Sequence, residues 1–195
     1  MTLRRVCVFC GSAPGRDPGY TEAAQGFGAL LAIRGIEVVT GGGGVGMMGA
    51  VARGALGAGG RVIGVIPRVL VEREQAFPGL SEIIVTASMH ERKQRMAALS
   101  DAFVALPGAF GTFEELCEMV TWTQLGIHHK PLGLLDVLGY WRALLALFDH
   151  AVAEGFLTPR NRALVLSHAD GQALLAALAQ AHPAWPAAPL APENA

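Results

Sequence analysis

Short runs of apolar and β-branched residues alternate with helical patterns along most of the chain. Val6 to Phe9, Ile36 to Thr40, Val62 to Ile66, Ile83 to Thr86, Ala102 to Leu106, Leu132 to Leu135 and Leu164 to Leu166 read as strands. Several are apolar throughout, as strands covered by helices on both faces are. Between them apolar positions recur every three or four residues. Tyr20, Ala23, Ala24, Phe27, Leu30 and Leu31 make one face of a helix that Asp17 caps, Pro18 opens and Gly35 closes. Tyr140 to Glu154 predicts another, with Trp141, Leu144, Leu145 and Phe148 as a core stripe and Gly155 at its end. Thr158-Pro159 and Asp170 mark two further helix starts. This alternation of strand and helix predicts the α/β class, a single Rossmann-like doubly wound parallel sheet flanked by helices.

At 195 residues the chain fits one domain, expected over 1–182, with the Pro- and Ala-rich 183–195 as a disordered tail. Composition adds mostly exclusions. Apolar residues reach 52 %, yet Gly, Pro or charge interrupts every run before the roughly 20 residues a membrane span needs. The 15 basic and 16 acidic residues are interspersed, so neither nucleic acid nor a membrane is expected as a partner. The first apolar run is strand-like rather than leader-like, and a cytoplasmic protein is expected. Cys7 and Cys10 spell C-x-x-C, but side chains three apart on a strand point to opposite faces. The six histidines lack acids or thiols at ligand spacing, and no metal or cofactor is expected.

Two glycine-rich turns carry the candidate chemistry. Thr40 to Gly49 follows a strand, opens a helix and satisfies G-x-G-x-x-G at Gly41, Gly43 and Gly46. Glycines bring backbone close to a phosphate, and the helix start attracts its charge. A dinucleotide site also wants an acid about twenty residues on. Met47 to Val71 contains none, and the loop lacks the Lys-Ser/Thr ending of an NTPase, so a mononucleotide fits better. The second turn, Leu106 to Glu115, again joins a strand to a helix. Its Thr112 and Glu115 have capping-box spacing, so a purely structural role stands beside a chemical one. If Thr112 instead faces a phosphate, Glu115 lies one turn deeper, where a carboxylate can orient water and stabilise positive charge at an anomeric carbon. Ser88 to Met96 reads as a helix with its own S-x-x-E cap. Adjacent Arg92 and Lys93 point roughly 100° apart on it, so only one addresses a given spot, and Arg95 reads as a solvated charge.

With these motifs in hand, the sequence resembles the Lonely Guy (LOG) family of cytokinin riboside 5′-monophosphate phosphoribohydrolases. The likeness runs from Cys7-Val8-Phe9-Cys10-Gly11-Ser12 to Gly155-Phe156. The family's G-G-G-x-x-G-x-M-G lies at Gly42 to Gly49 with one residue of slack, its M-H-x-R-K at Met89 to Lys93, and its P-G-G-x-G-T-x-x-E at Pro107 to Glu115. The resemblance implies removal of ribose 5-phosphate from N6-modified AMP to release a free cytokinin base. It implies Arg92 and Glu115 as the catalytic pair. It also implies a substrate- and phosphate-binding set of Gly11, Ser12, Gly42, Gly43, Gly46, Met89, Lys93, Gly108, Gly111 and Thr112, and a homodimer. Ala and Leu on the helices around Arg92 to Leu99 and Glu115 to Leu125 fit that expectation of a dimer.

One departure stands out: Ala109 replaces the second glycine of P-G-G, and a positive φ there would cost a Cβ about 1 kcal/mol. The family is also labelled lysine decarboxylase, but a pyridoxal enzyme needs a Schiff-base lysine. Lys93 and Lys130 are the two lysines, and neither sits in a recognisable cofactor motif. Two rival readings remain at the sequence level: a general hydrolase of AMP and other nucleoside monophosphates, and a nucleotide or cofactor carrier without turnover.

Overall fold

Each of the apolar runs forms a strand in the computed structural model, which describes residues 2–71 and 76–181. The strands are β1 (Arg5–Phe9), β2 (Glu37–Thr40), β3 (Val62–Pro67), β4 (Glu82–Thr86), β5 (Ala102–Ala105), β6 (Leu132–Leu135) and β7 (Val165–His168). The helices are α1 (Pro18–Ile33), α2 (Gly46–Gly57), α3 (Met89–Leu99), α4 (Phe110–Gln124), α5 (Arg142–Ala153), α6 (Pro159–Arg162) and α7 (Gly171–Gln180), with β3 passing to β4 without an α-helix among the described residues. The expected tail at 183–195 lies outside the described residues.

All pairings are parallel, in the order β4-β3-β2-β1-β5-β6-β7. The chain builds outward from β1 to β4. Helix α3 then carries it back to β5, which pairs with β1 on its other side, Phe9 opposite Ala105. The sheet direction therefore switches between β1 and β5, and the crevice beyond their carboxyl ends is where a fold of this kind binds ligands.

Alternation along the strands divides the core in two. Val6, Val8, Val38 and Val104 face α1, α2 and α7, while Cys7, Phe9, Val39 and Phe103 face α3 and α4. Cys7 and Cys10 fall in different clusters, and both are free thiols. The caps behave as their residue types dictate. Asp17 accepts from Gly19 N at 2.8 Å, Thr158 from Asn161 N at 3.1 Å and Asp170 from Ala173 N at 2.8 Å. The α5 helix differs from its sequence pattern: it begins at Arg142, leaving Tyr140 and Trp141 before it. Trp141 is fully buried, whereas Leu144, Leu145 and Phe148 are only partly covered.

Candidate active site

A cleft of about 180 Å³ lies at the switch point. The loop after β1 supplies Cys10, Gly11 and Ser12, the start of α2 supplies Met48, α3 supplies Met89 and Arg92, and α4 supplies Gly111, Thr112 and Glu115. A second, more apolar cavity of about 220 Å³ shares Gly11, Ser12 and Ala109 with it and adds Gly108, Tyr20 and Tyr140.

Helix α3 is set by a genuine cap. Ser88 accepts from Glu91 N at 3.1 Å, and Glu91 reaches back to Ala87 N at 2.7 Å. This anchors the first turn and sends Arg92, 4 % exposed, inward to the end of β2. There its Nη2 donates to the Gly41 carbonyl at 3.3 Å. A Cβ on Gly41 would lie 2.0 Å from that nitrogen, so this glycine makes the bed for the guanidinium.

The same S/T-x-x-E spelling behaves differently in α4. That helix starts at Phe110 with Ala109 as its N-cap and no side-chain cap bond, so Thr112 and Glu115 lie inside it and form no capping box. Both line the cleft. The first bond of the helix is Phe113 N to Ala109 O at 3.0 Å. The N–H groups of Phe110, Gly111 and Thr112 make no hydrogen bond among the described residues and carry the positive end of the helix dipole. Ala109 has φ −114°, an extended conformation any residue adopts, so replacement of the glycine there strains nothing.

The other glycine turn is organised otherwise. Met47 N donates to Ala13 O at 3.4 Å and Met48 N to Gly11 O at 3.2 Å. Gly46 has φ +57°, and a Cβ on it would stand 2.1 Å from Ser12 O. The structure thus does not bring Gly42, Gly43 and Gly46 to the cleft, contrary to expectation. Two donors at the start of α2, Met47 N and Met48 N, are spent on the β1 loop. Gly46 packs against Ser12, whereas Gly42 packs against Gly64 and Gly43 N donates to Met48 Sδ at 3.0 Å.

Lys93 is also placed differently from its expected role. Its ammonium, 7 % exposed, pairs with Glu114 and with Glu118 at 2.9 Å, tying α3 to α4. Burial lowers its pKa, but the bonds to these two carboxylates outweigh that and leave it above the ordinary lysine value. Lys93 and Glu114 join the two helices, and Glu114 also lines the cleft beside Arg92 and Glu115. Burial pushes the Cys10 thiol far up, and Glu115 pushes it further, so it stays a neutral wall of the site.

Residues lining these cavities that the sequence did not mark as site residues are Cys10, Met48, Glu114, Tyr20 and Tyr140. Tyr140 read as the first residue of a helix, and its place after the left-handed pair Leu138 and Gly139, φ 54° and 73°, distinguishes it.

With the geometry in view, similarity to known proteins narrows the reading. The family model described as possible lysine decarboxylase matches residues 48–178. A probable cytokinin riboside 5′-monophosphate phosphoribohydrolase of Oryza sativa subsp. japonica is 51 % identical over 90 % of this chain and 72 % of its own. A cytokinin riboside 5′-monophosphate phosphoribohydrolase of Arabidopsis thaliana is 47 % identical over 93 % of this chain and 83 % of its own. The chain belongs to the Lonely Guy family. Among solved structures, the molybdenum cofactor carrier protein of Chlamydomonas reinhardtii superposes with a TM-score of 0.69 at 25 % identity, covering 92 % of this chain and 97 % of that one.

The decarboxylase label of the Lonely Guy family does not fit the residues present. Lys93 is held by two glutamates, and Lys130 Nζ donates to Ala97 O at 2.6 Å, so neither amine is presented to a cofactor aldehyde.

Proposed function

We propose that this protein hydrolyses the N-glycosidic bond of N6-substituted adenosine 5′-monophosphates, releasing the free base and ribose 5-phosphate. One observation carries the reading: Arg92 and Glu115, on different helices, share a cleft with the uncapped first turn of α4. That turn suits a 5′-phosphate through the N–H groups of Gly111 and Thr112 and the Thr112 hydroxyl. In this reading Glu115, one helical turn further, addresses the sugar. Its carboxylate orients a water and stabilises the oxocarbenium-like charge as C1′ separates from the base nitrogen. The water oxygen bonds to C1′ and its proton ends on the departing base. Arg92 offsets the charge gathered in the cleft. The relatives named as phosphoribohydrolases, at 47–51 % identity, support the substrate class.

The purified protein incubated with N6-isopentenyl-AMP and with AMP, with free base followed by chromatography, tests this reading. Release from the substituted nucleotide well above that from AMP is the expected result. Equal rates point to a general monophosphate hydrolase. The likeness to a molybdenum cofactor carrier favours a second reading, binding without turnover, and tight nucleotide binding with no released ribose 5-phosphate decides for it.

A homodimer and a cytoplasmic setting belong to the same proposal. No helix among the described residues is long and apolar enough to cross a membrane. Phe110 at 87 %, Ile127 at 62 % and Leu147 at 57 % exposure, on or beside α4 and α5, supply apolar surface for a second copy. Light scattering at the size-exclusion peak measures the assembly.

A further inference from the structure

An anion cradle made of backbone needs more than donors, because each peptide also carries a carbonyl whose partial negative charge repels the ligand. In the turn between β5 and α4 three consecutive carbonyls are each occupied. Pro107 O accepts from Gly11 N at 3.0 Å, and Ala109 O accepts from Phe113 N at 3.0 Å. Between them Gly108 O accepts from the Tyr140 hydroxyl. Two of these ties are backbone to backbone; the middle one hangs on a side chain.

We infer that Tyr140 is a positioning residue of the phosphate cradle, its hydroxyl holding the Gly108 carbonyl so that the turn presents donors alone to the anion. The inference rests on the phosphate site proposed above. Peptide geometry transmits the effect. The described residues include no cis bond, so a Gly108 carbonyl turned toward Tyr140 turns the Ala109 N–H the opposite way. There is no slack in the turn: a Cβ on Gly108 would lie 2.1 Å from Thr112 Oγ1 and 2.8 Å from Gly11 N. A rotation of this peptide therefore disturbs Thr112 and the β1 loop together.

Tyr140 is itself held with unusual care. Leu138 adopts φ 54° and Gly139 φ 73°, two left-handed residues in succession, the first being non-glycine and costing of order 1 kcal/mol. Trp141 N donates to Asp136 Oδ1 at 2.8 Å and fixes the exit of this bend. The Tyr140 ring meets Tyr20 and Trp141 edge-on, at centroid distances of 6.1 and 5.0 Å. Strain at a bend that delivers one hydroxyl to one carbonyl marks a functional demand on that hydroxyl.

The test compares wild type and Tyr140→Phe. Calorimetric titration with ribose 5-phosphate and with adenosine separates phosphate recognition from the rest, and steady-state kinetics adds KM and kcat. Tyr140→Phe is expected to weaken ribose 5-phosphate and raise KM by roughly tenfold, with kcat and adenosine affinity within about threefold of wild type. Unchanged ribose 5-phosphate affinity in Tyr140→Phe overturns the inference, as does a fall in kcat at constant KM. Equal losses toward ribose 5-phosphate and adenosine also overturn it, since they report general damage. A wild-type protein without turnover defeats the proposed hydrolysis, while the ribose 5-phosphate titration still decides the role of Tyr140.

Discussion

The two glycine turns look alike in sequence, each following a strand and opening a helix, yet they spend their backbone donors differently. At the β2–α2 turn the N–H groups of Met47 and Met48 go to carbonyls of the β1 loop. At the β5–α4 turn those of Phe110, Gly111 and Thr112 stay uncommitted among the described residues, and the carbonyls are tied back instead. A glycine run is thus a statement about close approach, and what approaches is another piece of chain in one case and the cleft in the other. The first turn supports the second through Gly11 and Ser12 and beds Arg92 on Gly41.

The comparison breaks most visibly at Glu115, the charged residue that one turn has and the other lacks. Glu115→Gln keeps size and helix propensity and is expected to lower kcat by roughly 10²–10⁴-fold at unchanged melting temperature. Single-turnover release of base measures it. Near-normal turnover would reduce the β5–α4 turn to a second packing device.

Next in size come matched glycine substitutions. Gly46→Ala forces a left-handed φ on alanine and drives its Cβ into Ser12 O, so a loss of about 3 kcal/mol or more in folding stability is expected, read by urea denaturation. Gly111→Ala meets nothing within 4 Å, and alanine suits a helix better, so stability is expected to hold or rise by up to about 1 kcal/mol. Its methyl crowds the phosphate instead, with KM rising roughly tenfold. The two variants should therefore fail in opposite assays. Equal stability losses would erase the distinction between a packing turn and a binding turn.

This division marks the limit of what the sequence alone conveys. The fold was legible because apolar runs of strand length separated by helical faces admit few arrangements, and the seven strands fall within a residue or two of their patterns. Arg92 and Glu115, which the family resemblance pairs, line one cleft. The capping-box spelling of Thr112 and Glu115 was not legible: the same letters cap at Ser88 and Glu91 and do not at Thr112 and Glu115. The difference lies in where the helix begins, and that is set by the tied turn at Pro107 to Ala109. Lys93 shows the same limit. Its neighbour points into the cleft, but the two carboxylates that claim the lysine come from α4, and only the packing of α3 on α4 brings them together.

The far end of α4 offers the mildest test, because structural and chemical duties separate along that one helix. His128, just past its carboxyl end, packs against Phe103 and Trp122, and its Nδ1 accepts from Lys130 N at 3.2 Å. Burial, then Lys130 and His129, lowers its pKa from 6.5 to about 4. Between those values the unfolded chain binds a proton that the folded chain refuses. This contribution to stability is therefore complete above pH 6.5, declines as pH falls through that value and levels off below about 4. Melting temperatures measured across the interval should fall more steeply in wild type than in His128→Asn, whose side-chain oxygen can still accept from Lys130 N. Over the same interval kcat/KM should follow one profile in both proteins, because the cleft lies at the opposite end of the helix. A shifted profile in His128→Asn would mean that the carboxyl end of α4 shares in the chemistry assigned to its start.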